Sequence, residues 1–214
     1  MKELPLASHF ISSVNKGMTD GTKVLLTLHG RGDTLDSYKM FAKELNVTGL
    51  NYLLLNAPFV EYFGYTWYDD SYSRNDPRYQ VSIKKLTECL KQAVAQSDGN
   101  LDYKDILLFG FSQGGRMVLD LLKSFNGELG AVIALSPRMS LDHDFSAINP
   151  SLSRTPVFIA HGEYDEVIPL EETKTGADQW SKVINDFTFK TYPCGHEIDP
   201  IELCDLRAWI NNYL

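Results

Sequence analysis

Short apolar runs alternate along the chain with longer stretches in which apolar residues recur every three or four positions. The short runs are Val24–Leu28, Tyr52–Asn56, Ile106–Phe111, Ala131–Leu135, Val157–Ala160 and Phe187–Tyr192. Most are nearly continuous rather than alternating, which is the pattern of strands buried on both faces of a parallel sheet covered by helices. Between them, Ile83, Leu86, Leu90 and Val94 predict a helix stopped by Asp98-Gly99. Met117, Leu121 and Leu122 predict a second, ended by Asn126-Gly127. Leu170, Thr173, Ala177, Trp180 and Ile184 predict a third, and Leu203, Leu206, Ile210 and Tyr213 a fourth. The fourth opens on Asp199-Pro200-Ile201-Glu202. Asp199 can cap it, Pro200 suits the first helical position, and Glu202 can complete a capping box. The alternation predicts an α/β fold, with a mostly parallel central sheet flanked by helices, as a single domain over residues 1–214.

The segment at about 58–79 breaks this rhythm. Between Phe59 and Tyr79, 21 residues hold eight aromatics, at 59, 62, 63, 65, 67, 68, 72 and 79, against 12% aromatic residues in the whole chain. Pro58, Gly64 and Pro77 argue against a regular helix there. The segment reads as a loop insertion folded over the sheet. Its rings serve either as a satellite core or as a binding wall for an apolar group, and long loops in compact domains are often functional.

Charge and cysteine usage narrow the function classes. The chain has 214 residues, 43% of them hydrophobic, so a sizeable core is available. Twenty Lys and Arg against 28 Asp and Glu give a formal charge of −8. Such a surface repels phosphate backbones and anionic membranes, so neither nucleic acid nor a lipid surface is expected as a partner. The first ten residues hold no continuous apolar run, and no later stretch approaches the roughly 18 apolar residues that span a bilayer. Stable membrane insertion is therefore not expected. Cys89, Cys194 and Cys204 form no CxxC pair. Neither a disulfide framework nor a zinc knuckle is expected, and a cytoplasmic location is the default.

Chemistry enters at Gly110-Phe111-Ser112-Gln113-Gly114, which follows an apolar run and precedes a helical pattern. This is G-x-S-x-G in a strand–turn–helix context, the setting of a nucleophile elbow. Glycines at 110 and 114 permit the sharp turn, and the helix N-terminus beside Ser112 favours developing negative charge. The run lacks the Gly-Lys-Ser/Thr ending of a phosphate-binding loop.

A serine needs a positioned base. On this elbow the partners follow in the order Ser, Asp or Glu, His. Of His143, His161 and His196, only His196 follows the last strand run with an acid ahead of it. His143 reads as a solvated loop residue, and His161 as the end of a strand run. Three carboxylates compete for the acid, Glu163, Asp165 and Glu166, and Asp165 is favoured. The oxyanion hole needs backbone N–H groups. One is expected from Gln113, the residue after the nucleophile. The other is expected from Arg31 in Leu28-His29-Gly30-Arg31-Gly32-Asp33, after the first strand run. No metal or cofactor is called for. His29 and His161 each precede Gly at a strand end, and no H-E-x-x-H helix exists. Cys194 lacks an elbow and reads as a packed or surface thiol.

These blocks resemble the small α/β-hydrolases of the phospholipase/carboxylesterase family, which includes acyl-protein thioesterases. Leu28-His29-Gly30-Arg31-Gly32-Asp33-Thr34, Gly110-Phe111-Ser112-Gln113-Gly114-Gly115, His161-Gly162 through Asp165 to Pro169, and Gly195-His196 carry the resemblance, which spans most of the chain. It implies Asp165 as the acid of a Ser112–Asp165–His196 triad. It also implies a serine carboxylic-ester hydrolase, whether carboxylesterase, thioesterase or lysophospholipase. Trp67-Tyr68-Asp69 resembles a stretch that family members carry near the acyl pocket, so Phe63, Trp67 and Tyr68 are expected to line the substrate side. Members of the family often carry an apolar residue where Arg31 stands. Ala134-Leu135-Ser136-Pro137-Arg138 lacks an aromatic that some thioesterases show. With its side chain facing the pocket, Arg31 turns the expectation from long fatty chains towards small, short-acyl or anionic esters, and both departures turn it away from protein depalmitoylation but not from ester hydrolysis. The alternatives are a peptidase or amidase with the same triad, and a ligand-binding or regulatory protein on a hydrolase fold. A homodimer through the aromatic segment is a further expectation.

Overall fold

Strands that are apolar at every position need cover on both faces, and the chain supplies it by returning through a helix after most strands. A computed structural model describes residues 3–13, 23–69, 75–97, 99–139 and 150–214. In chain order the strands are β1 (Ser8–Ile11), β2 (Lys23–Leu28), β3 (Leu50–Leu55), β4 (Phe59–Glu61), β5 (Gly64–Thr66), β6 (Ile106–Phe111), β7 (Ala131–Leu135), β8 (Val157–Gly162) and β9 (Phe187–Tyr192). The helices are α1 (Ser37–Leu45), α2 (Pro77–Ala95), α3 (Gln113–Ser124), α4 (Leu170–Trp180) and α5 (Pro200–Ile210).

Seven strands form one sheet in the order β1-β3-β2-β6-β7-β8-β9, and β4 and β5 form a separate hairpin. All neighbours in the large sheet are parallel except the edge strand β1, which runs antiparallel to β3. The expected α/β fold is thus the observed one. Within β2, Leu25 faces the core layer under α1 and α5, while Val24, Leu26 and Leu28 face the layer under α2, α3 and α4. Phe109 and Leu108 of β6 divide in the same way. This two-sided burial is why the strands read as unbroken apolar runs.

Several boundaries move. The third predicted helix stops at Trp180, and Ile184 packs into the core from the turn that follows. The fourth stops at Ile210, with Tyr213 in a short 3-10 turn. Its predicted capping box is present: the Asp199 side chain accepts from the Ile201 N–H, and Glu202 Oε2 accepts from the Asp199 N–H. The first predicted helix ends at Ala95, and Asp98 lies outside the described residues. The apolar pattern does not mark α1, β1 or the short strands β4 and β5. Helix α1 buries Tyr38, Phe41, Ala42 and Leu45 at helical spacing. Strand β1 is mostly exposed, so its residues carry little strand pattern. The aromatic segment is not one loop: it contains the β4–β5 hairpin, and its end forms the first turn of α2, capped by Asp76 with Pro77 at the start. Among the described residues no helix is long and apolar enough to cross a membrane.

The sheet's strand order turns outward in opposite directions from β2 and β6, so the loops after these two strands diverge and leave a crevice at the carboxyl ends. On the far side, the loops after β8 and β9 are zipped together. Glu163 N–H donates to the Tyr192 carbonyl at 2.7 Å, and Tyr164 N–H to the Cys194 carbonyl at 2.9 Å. A Cβ at Gly162 would overlap the carbonyl oxygens of Gly195 and Cys194. Gly162→Ala is therefore expected to lower stability by about 2–4 kcal/mol. That corresponds to a melting temperature roughly 5–15 °C below the parent. A thermal melt indistinguishable from the parent would show that the two loops can part without cost.

Candidate active site

The turn at Ser112 comes from two glycines. A Cβ at Gly110 would overlap the Gly114 backbone, and a Cβ at Gly114 would meet the carbonyls of Leu28 and His29. With both absent, β6 runs directly into α3. The backbone at Ser112 takes φ 53° and ψ −114°, a left-handed φ that costs a non-glycine residue about 1–3 kcal/mol. Packing holds it there: the Ser112 N–H donates to the Leu135 carbonyl at 2.8 Å, and α3 buries Met117, Val118, Leu121 and Leu122 against the sheet. The Ser112 side chain is thereby lifted out at the head of α3.

His196 and Asp165 arrive from the two zipped loops. His196 Nε2 lies 2.9 Å from Ser112 Oγ, and His196 Nδ1 lies 2.7 Å from Asp165 Oδ2. With the ring neutral, Nδ1–H donates to the carboxylate and Nε2 accepts from the serine hydroxyl. The Phe111 ring packs against the imidazole, with ring centroids 4.9 Å apart. Burial pushes the Asp165 carboxyl up. The backbone N–H of Ile168, the His196 ring and the backbone N–H of Val167 pull it down more strongly, and the net value lies below the usual range. Both amides donate to Asp165 Oδ1, at 2.9 and 2.8 Å. Asp165 is therefore an ionised, oriented carboxylate. Glu163 and Glu166 are exposed and do not meet His196. His161 is buried beneath Asp165, with Nε2 3.3 Å from Asp165 Oδ2. Its Nε2–H donates to the Ile168 carbonyl at 2.8 Å, and Nδ1 accepts from the Thr173 hydroxyl at 2.9 Å. Burial lowers its pKa and keeps the ring neutral.

On the other side of Ser112 lies the loop after β2. A Cβ at Gly30 would sit 3.5 Å from the Ser112 Cβ, so this backbone passes directly beside the serine. The β4–β5 hairpin docks on the same loop. Gly32 N–H donates to the Tyr65 carbonyl at 2.8 Å, Tyr65 N–H donates to the Asp33 carbonyl at 2.9 Å, and Gly64 lets the strands touch. Gln113 locks the hairpin's exit. Its side-chain oxygen accepts from the Trp67 N–H at 2.8 Å, and its amide nitrogen donates to the Tyr68 carbonyl at 2.9 Å. The Gln113 backbone N–H, first in α3, has no acceptor within the helix. Arg31 turns its side chain to Glu61: Nε donates at 2.8 Å, and Nη2 forms a second contact to the same oxygen. That hydrogen bond holds the Glu61 carboxyl below its ordinary value.

A cavity of about 140 Å³ opens at this point, lined by Arg31, Tyr68, Ser112, Gln113, Arg138 and the Val167–Ile168 segment. Five predicted residues, Ser112, Asp165, His196, Arg31 and Gln113, thus converge, and Tyr68 joins them. Trp67 is fully buried behind the cavity, its Nε1–H donating to the His29 carbonyl at 2.9 Å. Phe63 stands apart. It is fully exposed at the hairpin tip beside Tyr62 and is not among the cavity's walls. His29 is a packed residue: Nδ1–H donates to the Gly30 carbonyl, and Nε2 accepts from the Ala57 N–H. Cys194 is buried, and burial pushes its thiol up to about 11. His143 lies outside the described residues. Glu61 and the clamping side chain of Gln113 were not legible beforehand, because no spacing rule links them to their partners. A larger cavity, about 320 Å³, lies at the amino ends of the strands among Ser12, Lys43, Asn46 and Leu50, remote from this chemistry.

Residues 9–214 match the phospholipase/carboxylesterase family. A protein of Emericella nidulans named acyl-protein thioesterase 1 is 29% identical, over 90% of this chain and 91% of its own length. The fold is similar to that of a Bacillus cereus carboxylesterase, at a TM-score of 0.81 and 19% identity, covering 98% of this chain and 95% of that one. It is also similar to Zea mays acyl-protein thioesterase 2, at a TM-score of 0.74 and 18% identity, covering 97% and 98%.

The loop that carries His196 runs into α5, whose capped first turn holds Glu202. This carboxyl is buried, and burial raises its pKa to about 7, against the pull of the Asp199 N–H it accepts. The fold thus favours the protonated form. As pH rises from the ordinary glutamate value of about 4.3 to about 7, the unfolded chain ionises here before the folded one, and stability is lost across that window. Glu202→Gln keeps an acceptor for the cap and removes the charge. Urea midpoints measured across this range are expected to fall less steeply with pH in the variant than in the parent. Parallel curves would assign the buried carboxyl no part in the pH dependence.

Proposed function

This chain belongs to the phospholipase/carboxylesterase family, and from that premise we propose that it hydrolyses small or short-acyl carboxylic esters and thioesters through an acyl-enzyme on Ser112. The observation that carries the reading is the unbroken hydrogen-bonded line from Ser112 Oγ through both nitrogens of His196 to Asp165, at 2.9 and 2.7 Å. His196 Nε2 takes the hydroxyl proton as Oγ attacks the carbonyl carbon. Asp165 holds the ring in the required tautomer and stabilises the imidazolium that forms. The backbone N–H groups of Arg31 and Gln113 donate to the oxyanion, each donor worth about 3–4 kcal/mol. The imidazolium then protonates the departing alcohol or thiol. Water, deprotonated by His196, attacks the acyl-enzyme and frees the acid.

The cavity beside Ser112, about 140 Å³, lies well below the ~300 Å³ at which drug-sized ligand pockets begin. That supports a short acyl group. Tyr68, Val167 and Ile168 supply the apolar wall, and the fully buried Trp67 is not part of it. The exposed Phe63 gives the reading no support. Three free thiols, Cys89, Cys194 and Cys204, suit a reducing compartment, and the cytoplasm is the location that goes with this reading.

Intact-mass analysis after fluorophosphonate treatment is expected to show one adduct, absent in Ser112→Ala. No adduct on the native protein at neutral pH would sink the acyl-enzyme. Asp165→Asn is expected to lower kcat on a para-nitrophenyl ester by about 10³–10⁴, by loss of the correct His196 tautomer. A loss below tenfold would mean that Asp165 does not orient the base.

A further inference from the structure

Among the described residues, every arginine but one, at the cavity, finds a close partner. Arg78 pairs with Asp69, Arg116 with Asp120, and Arg154 with Glu128. Arg207 donates to the carbonyls of Leu45 and Glu44, at 2.7 and 2.6 Å. Arg31 lines the cavity, but its charge is met by Glu61. Arg74 lies outside the described residues. Arg138 also lines the cavity, and among the described residues no carboxylate pairs with it. Its Nη2 reaches only the Val167 carbonyl, at 3.5 Å, beyond good hydrogen-bond range.

The backbone beneath Arg138 is built rather than loose. Ser136, at the end of β7, holds φ 43°, fixed by its N–H donating to the Ala160 carbonyl at 2.8 Å. Ser136 is itself buried, at the end of a strand buried at every position. The residue after Arg138, Met139, donates its N–H to Glu172 Oε1 at 3.1 Å. A charged side chain is thus carried on a braced turn at the wall of the cavity that holds Ser112. On a chain of net charge −8, this exposed guanidinium meets no carboxylate among the described residues, which leaves its donors open to a ligand in the cavity.

We propose that the substrate carries an anionic group, a carboxylate or a phosphate, on the ester's acyl or alcohol side, and that Arg138 recognises it. The inference rests on the ester-hydrolase reading above and names its substrate class. Arg138 supplies a planar fork of donors suited to two oxygens of one anion. The small cavity keeps that anion only a few bonds from the scissile carbonyl. Anchoring there positions the carbonyl for Ser112, so the effect belongs mainly in KM.

The test compares matched esters. Para-nitrophenyl hemisuccinate is set against para-nitrophenyl butyrate for an acyl-side carboxylate. Para-carboxyphenyl butyrate and para-phosphonooxyphenyl butyrate are set against phenyl butyrate for the alcohol side. The parent protein is expected to favour at least one anionic ester in kcat/KM, with the advantage shrinking as salt rises. Arg138→Gln is expected to lower the anionic-to-neutral ratio by about tenfold to a hundredfold, the range of a hydrogen bond to a charged group. Arg138→Lys is expected to restore part of it. The ester with the largest Arg138-dependent ratio identifies the anion and its side. A parent without preference for any anionic ester overturns the proposal, and so does a ratio unchanged in Arg138→Gln. Fluorophosphonate labelling of Ser112 in the same samples reads the hydrolase assignment separately, so the two can fail independently.

Discussion

At Ser112 the chain must pass from a buried strand into a buried helix within one residue, and the serine, the head of α3 and the docked hairpin take their places from that. The turn works only because Gly110 and Gly114 let the β6 backbone, the head of α3 and the end of β2 come into contact. The strained φ of Ser112 is held by the packing of α3 on the sheet. The same turn aims the first N–H of α3 and the serine hydroxyl into one space. It also sets the Gln113 side chain where it can hold Trp67 and Tyr68. The exposed serine hydroxyl, the unpaired first N–H of α3 and the clamp on the cavity wall are thus three consequences of one backbone event.

A second close approach completes the site. Gly162 allows the loops after β8 and β9 to share backbone hydrogen bonds, and this shared edge brings Asp165 to His196 across 31 residues of chain. Asp165 then collects two backbone amides and the imidazole, while a neutral, buried His161 fills the space below it. Its charge is met by hydrogen-bond donors rather than by a counter-ion. The arrangement suits a group that must stay ionised while its partner gains and loses a proton.

The hairpin shows how one aromatic-rich segment divides its labour. Trp67, Tyr68 and Tyr79 are buried, Phe59 and Tyr65 are half-buried, and Tyr62 and Phe63 are exposed. Composition marks the segment as unusual, but it does not say which rings turn inward. That is decided by docking on the Gly30–Asp33 loop, where Gly64 must touch backbone and the next residues inherit their direction. Arg31 shows the same limit. Its backbone position was legible from the strand end and the flanking glycines, whereas its side chain is assigned by Glu61, thirty residues away on the hairpin.

Apolar runs, helical spacing and the punctuation at Asp199-Pro200 were enough to determine the layered α/β fold and its capping. They report burial and local backbone geometry, which short stretches of chain carry by themselves. The elbow, the order of its partners and the family resemblance likewise singled out Ser112, Asp165 and His196. Tertiary structure decided what depends on distant segments meeting: the edge strand β1, the clamp of Gln113 on the hairpin, the neutralising of Arg31 and the openness of Arg138. Each depends on whether residues far apart in the chain meet in a hydrogen bond or a charge contact. Sequence spacing carries no record of such contacts, because they form only after the apolar core has fixed which loops share an edge.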